Sequence, residues 1–293
     1  MKSIGRLYHR KKPMDWARFL LVWGSGLITI AVLMYLVLFI SIQGIPHIQL
    51  SLFERIYTIE NQSLFPALVA TLIMVGMTLL IAVPFGISTA IYLVEYAKRG
   101  SRLVRAIRMT TETLAGIPSI VYGLFGYIFF ANWLGWGRSL LAGCFTLAIM
   151  VLPVIMRTTE ESLKSIPDSY REGAFSLGAG RLRTVWRVVL PSAMPGIFAG
   201  IILAIGRIVG ETAALIFTIG GVIRLPDSLF SQGRTLALHV YFLASQGHFR
   251  NQAYATAVVL LVVVIGINTL SLSIERWFLN KTKMMDEGKN DQV

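Results

Sequence analysis

Arg207 stands midway along an apolar stretch over residues 194–220, in the run Gly206-Arg207-Ile208-Val209-Gly210-Glu211. A guanidinium in hydrocarbon costs about 2.5–3.5 kcal/mol on insertion scales and more in simulations, so it needs a partner or a task. Glu211 follows four residues later, so one helix face would carry both groups and let them pair. One reading is a neutralised pair that joins helices, although a buried pair seldom improves on apolar packing. The other is a cation with a local, breakable counter-charge, a way-station for an anion in transit. Residue type and spacing leave both open.

A second constellation lies in the connection before that stretch. Pro167 and Asp168 suit a helix start, and Tyr170, Ala174 and Leu177 then fall at i, i+4 and i+7, on one face. Gly178 and Gly180 bracket a sharp turn, after which Arg181 to Val189 can resume a helix that Pro191 would end. A short helix with an apolar face, held by glycine turns, suits a groove in another protein. It suits a lipid surface equally well. Gly196-x3-Gly200 and Gly206-x3-Gly210 are small-residue pairs that permit close helix contact, within the chain or with a partner. Arg102, Arg105 and Arg108 form a basic stripe that fits anionic lipid better than nucleic acid.

Several chemistries are missing. The chain has no G-x-x-x-x-G-K-[ST] loop, no H-E-x-x-H and no nucleophile elbow, so it is not expected to be an enzyme or to bind ATP itself. His9, His47, His239 and His248 lack metal-ligand spacing, and the single Cys144 allows no intramolecular disulfide.

The elements that must position these residues are membrane helices. Only 14% of the 293 residues are charged and 55% are hydrophobic, against about 25% charged in soluble domains. Six stretches have the length and apolarity of spans, over about 19–42, 67–94, 113–136, 139–157, 194–220 and 255–278. The first is too long for a signal-peptide core and is read as an uncleaved span. Pro84 and Pro118 are expected to kink their spans.

Orientation follows from Lys and Arg. They crowd the N-tail (Lys2, Arg6, Arg10, Lys11, Lys12, Arg18), the second-to-third connection (Lys98, Arg99, Arg102, Arg105, Arg108), the fourth-to-fifth connection and the C-tail. The other side holds only Arg55, Arg138, Arg224, Arg234 and Arg250. Both termini are therefore expected in the cytoplasm, in a multi-pass membrane protein. The division is a tail (1–18), a first span with its outer loop (19–66), a core (67–278) with the connection over 158–193, and a polar, disordered tail (279–293). The outer loop over 221–254 is mixed in character and has room for a short helix at the membrane surface.

Glu172-Gly173-Ala174, then Gly178, then Val188-x-Leu190-Pro191 resembles the E-A-A-x3-G-x9-I-x-L-P signature of ABC importer permeases, with Gly173 in place of Ala and Val188 in place of Ile. The resemblance implies an all-α polytopic protein of six transmembrane helices with the type I ABC importer permease fold. It also implies that Glu172, Gly173, Ala174, Gly178, Leu190 and Pro191 belong to the coupling contact with an ATPase. Gly206 to Ala213 (G-R-x-x-G-E-T-A), followed by Leu215 to Thr218, is similar to the PstA type of phosphate-importer permease. So is Gly116 to Gly126. Arg207, Glu211 and Thr212 are then expected on the substrate pathway, with Glu211 competing for the guanidinium so that phosphate is not trapped.

What the family implies is a permease subunit of an ATP-driven phosphate importer. Its expected partners are a second permease of the PstC type, a homodimeric ATP-binding subunit, an external phosphate-binding protein and membrane lipid, with no nucleic acid. No cofactor is expected on this chain; ATP and Mg would sit on the ATPase subunits. The rivals are a permease for another oxyanion such as sulfate or molybdate, a secondary anion transporter, and a non-transporting scaffold. Asn61-Gln62-Ser63 matches a glycosylation acceptor by coincidence on this reading.

Overall fold

The structure is a computed structural model that describes residues 13–98 and 100–290. Arg99, the basic residues before 13 and the last three residues lie outside the described part. Every described element is helical. α1 (Pro13–Gly44) leads through two short 3-10 turns to α2 (Phe65–Ile91), which runs on as a π turn over Tyr92–Tyr96. α3 (Arg102–Ala115) and α4 (Ser119–Gly126, continued by a π segment to Trp133) precede α5 (Leu140–Ser165). α6 (Asp168–Ser176) and α7 (Arg181–Thr184) follow, then a π turn over Val185–Val189 and α8 (Leu190–Gly210). α9 (Ala213–Thr218), α10 (Leu236–Gln246) and α11 (Arg250–Asn290) complete the chain.

Five helices are long and apolar enough to cross a membrane, and a sixth span results if the bent α3–α4 pair counts as one. The expectation of a merely kinked third span is corrected here. α3 and α4 meet at 104° across Gly116 to Pro118, because Pro118 adopts extended dihedrals and starts a new helix. Pro84, by contrast, lies inside an unbroken α2. Two further boundaries move. α5 outruns the apolar stretch to Ser165 because Thr159, Glu160 and Leu163 turn a buried face inward. α11 continues through most of the tail expected to be disordered.

α5 is the axis, packed against α2 on one side and α8 on the other. α8 meets it through small residues that let the two helices approach. A Cβ on Gly196 or Gly200 of α8 would run into Ser162 or Thr158 of α5, whereas one on Gly206 or Gly210 would meet nothing within 4 Å. The two glycine pairs therefore separate: the first fastens α8 to α5, and the second leaves α8 open on the surface of this chain. Gly200→Leu should force the helices apart, at about 1–3 kcal/mol for such overpacking. It should lower the thermal midpoint of the purified protein by several degrees, while Gly206→Ala leaves it in place. Equal midpoints for the wild type and Gly200→Leu would reject this packing account.

α1 is exposed along most of its length, and the described side chains of α11 are mostly exposed or half-buried, as suits lipid or partner helices. α10 packs into the bundle: Leu236, Leu238, His239 and Leu243 are buried, and the Leu236 amide donates to Thr71 Oγ1 near the start of α2. Asn61 donates from Nδ2 to Glu54 and to the Ile56 carbonyl, so its amide nitrogen is occupied within a folded turn.

His239 is sealed near that end of the bundle, with Nε2 3.4 Å from the Gln62 carbonyl oxygen and no hydrogen-bond partner at Nδ1. Arg234 stacks on Phe242 and donates to the Gly221 carbonyl. Burial, aided by the Arg234 charge, pushes the His239 pKa down to about 4. A depressed histidine binds protons more readily when unfolded. Stability should therefore fall as pH drops from about 6.5 through about 4, by up to about 1.4 kcal/mol per unit. Thermal midpoints across that window should decline steeply for the wild type and less so for His239→Asn; parallel curves would rule the assignment out.

Candidate functional site

α8 ends one turn beyond Arg207. Gly210 is a poor helix former, and Glu211 takes extended dihedrals (φ −73°, ψ 128°) before Thr212 leads into α9. The continuous helix expected over 194–220 is therefore broken after Gly210. Backbone breaks at membrane depth are tolerated where protein or a water-filled cavity satisfies the freed groups. Here Glu211 does part of that: its Oε1 accepts the Ala214 amide N–H at 3.0 Å and caps α9.

That contact overturns the expectation that one helix face presents Arg207 and Glu211 together. The carboxylate is 9% exposed and engaged with the backbone of α9. The salt bridges among the described residues do not include Arg207, and no hydrogen bond is made by its side chain. Arg207 is partly exposed between the open positions Gly206 and Gly210, within electrostatic reach of the Tyr122 hydroxyl on α4. α4 in turn is clamped to α9, since a Cβ on Gly123 would meet the Ala214 backbone at 2.7 Å. Chemically, this is a charged fork at a helix break, able to donate to an anion. Thr212 places a hydroxyl at the same break, 3.5 Å from the Gly210 carbonyl oxygen.

At the opposite end of the bundle from α10, α6 stands clear of the core. Pro167 opens it, and Gly178 closes it with φ +77°, where the Gly178 and Ala179 amides donate to the Phe175 and Ala174 carbonyls. That is a Schellman ending, which favours glycine at the left-handed position. Glu172, Gly173 and Gly178 are exposed, Ala174 is half-buried, and the apolar Tyr170, Phe175 and Leu177 face outward, Leu177 at 90% exposure. Leu190 and Pro191 do not join them. Pro191 does not end a helix but sits in the first turn of α8, and Leu190 packs on the core formed with α2 and α5.

Two residues that sequence reasoning counted only as charges hold α6 in place. Arg171 is 14% exposed and pairs with the buried Glu95, from the π turn after α2, at 2.7 Å. It also donates to the carbonyls of Leu163 and Ile166, both at 2.9 Å, and to Asp168 at 3.2 Å. The only sequence signal was a carboxylate closing an apolar run. The basic stripe divides as well: Arg102 and Arg105 face out, but Arg108 turns inward to Glu160 at 2.6 Å.

The family model for the binding-protein-dependent transport system inner membrane component matches residues 82–284. A probable ABC transporter permease protein, YqgI of Bacillus subtilis, is 38% identical over 58% of this chain and 62% of its own length. The phosphate transport system permease protein PstA 1 of Mycobacterium tuberculosis H37Rv is 42% identical over 53% of this chain and 50% of its own. The match thus spans about half to five-eighths of those relatives. A PstA of Xylella fastidiosa 9a5c is 35% identical over 78% of this chain and 83% of its own length. Among solved structures, a bacterial alginate ABC transporter with its binding protein aligns at TM-score 0.66 and 17% identity over 94% of this chain and 99% of that one. The MetNI methionine ABC transporter aligns at TM-score 0.59 and 22% identity over 73% and 94%. The fold is that of a type I ABC importer permease.

Proposed function

The chain belongs to the binding-protein-dependent transport system inner membrane component family, and from that premise we propose that it is the membrane-spanning half of an ATP-driven importer of inorganic phosphate. The observation that carries the substrate reading is Arg207: a guanidinium within a broken span, without a counter-ion among the described residues. An anion relieves such a charge and a neutral solute does not. Relatives named as phosphate permeases support the choice of phosphate among oxyanions.

Arg207, Thr212 and the Glu211 turn line the pathway, completed by a second permease against the open Gly206 and Gly210 face. The role of Glu211 is to hold the break, so that the guanidinium is offered without a competing carboxylate. The end carrying α6 faces the cytoplasm with both termini, in agreement with the distribution of Lys and Arg. There α6 seats in an ATPase subunit, one of a pair that binds ATP and Mg, while this chain hydrolyses nothing. Closure of that pair pulls α6 and opens the cavity outward to a phosphate-loaded binding protein; hydrolysis reverses it.

The test is radiolabelled phosphate uptake in cells lacking the chain, with and without its restoration, with sulfate as control. Selective, energy-dependent rescue of phosphate uptake is expected. Rescue of sulfate alone would keep the permease and reject the substrate.

A further inference from the structure

The geometry points to Arg171 and Glu95 as a positioning pair that carries the movement of α6 into α2 and α5. The inference rests on α6 being the ATPase-docking helix of the proposed function.

All five N–H groups of the Arg171 guanidinium are used. Nε donates to Glu95 at 3.1 Å, one terminal nitrogen to Glu95 Oε1 at 2.7 Å and to the Leu163 carbonyl at 2.9 Å. The other terminal nitrogen donates to the Ile166 carbonyl at 2.9 Å and to Asp168 at 3.2 Å. Its acceptors therefore come from three places: the π turn ending α2, the last turn of α5 with its following residue, and α6 itself. A planar five-donor fork fixes the angle of α6 as well as its distance. Leu163 and Ile166 have carbonyls at a helix C-terminus, where intrahelical donors run out, so the guanidinium also completes the end of α5.

The covalent route is softer. From α6 to α8 the chain passes through Gly178 at φ +77° and Gly180, with open space around both. A pull on α6 therefore passes back toward α5, joined through Ile166 and Pro167, and the saturated, largely buried fork stiffens that joint and ties α6 to the π turn ending α2. α2 and α5 then move with α6, and α8 follows through its glycine seam with α5. An ion pair whose only task was to neutralise two charges would not need the two backbone carbonyls. Lysine has three donors on a single nitrogen and cannot span this set, so charge and fork can be separated by substitution.

The experiment uses the full complex, with partner permease, ATPase pair and binding protein, reconstituted in liposomes. Wild type is compared with Arg171→Lys, Arg171→Gln and Glu95→Gln by co-purification of the ATPase, ATP hydrolysis, and phosphate taken up per ATP hydrolysed. Expected are intact complexes that still hydrolyse ATP, with uptake per ATP reduced at least tenfold in Arg171→Lys and Arg171→Gln and less in Glu95→Gln, whose amide still accepts. Unchanged uptake per ATP in both Arg171 variants would overturn the inference. So would loss of the ATPase from all three complexes, which would make the pair a requirement for assembly alone. Should the wild type carry sulfate instead, only the substrate reading falls, and the same ratio measured with sulfate decides the role of the pair.

Discussion

Arg207→Gln is expected to abolish phosphate uptake while the chain still inserts and assembles with its partners. A forked, charge-assisted contact to an anion is worth about 3 kcal/mol, which corresponds to roughly a hundredfold at equilibrium. The glutamine keeps volume and some hydrogen-bonding capacity but removes the charge that favours an anion in a low-dielectric break. Stability should not suffer, because Arg207 forms no ion pair that the substitution would orphan among the described residues; removing a cation from a membrane span relieves a cost. Arg207→Lys should fall between, retaining charge without the fork. Glu211→Gln is the companion measurement: its amide oxygen can still accept from Ala214, so the break persists and uptake should drop far less than in Arg207→Gln. Wild-type uptake by Arg207→Gln, with protein present at normal levels, would remove Arg207 from the pathway.

Gly178→Val should release the ATPase. No atom lies within 4 Å of a Cβ built at Gly178, so the penalty is conformational and not a collision. A β-branched residue at φ +77° is strained by about 1–3 kcal/mol. The chain escapes by unwinding the Schellman ending, which turns Leu177 and Phe175 away from the face that includes Tyr170 and Ala174. Co-purification of the ATPase should fall severalfold and transport-linked hydrolysis with it, and Glu172→Arg should do the same from the other end of the contact. Gly173→Ala is the control: its Cβ meets nothing, and alanine favours a helix by about 1 kcal/mol over glycine, so docking should hold or tighten. Gly178→Val with unchanged co-purification and normal transport-linked hydrolysis would detach this turn from the coupling role.

The sequence by itself determined the membrane character, the five long apolar spans and the two stretches where chemistry is to be looked for. Runs of about 20 apolar residues admit few other solvents, and a guanidinium in such a run marks itself. It also determined α6, because Pro167, the i, i+4, i+7 face and Gly178 are local signals read within a few turns of helix. Only the tertiary structure decided what each charge meets. Arg207 and Glu211 have pairing distance along a helix, but the helix ends between them, and the carboxylate serves α9 instead. Gly196 and Gly206 open identical small-residue pairs, yet one lies against α5 and the other faces out of the chain. Arg171 and Glu95 are 76 residues apart, and nothing local in either stretch announces the other. Periodicity and turn chemistry act over a few residues and are legible in a string; burial and pairing depend on which helices become neighbours, and α5, placed between α2 and α8, decided that here.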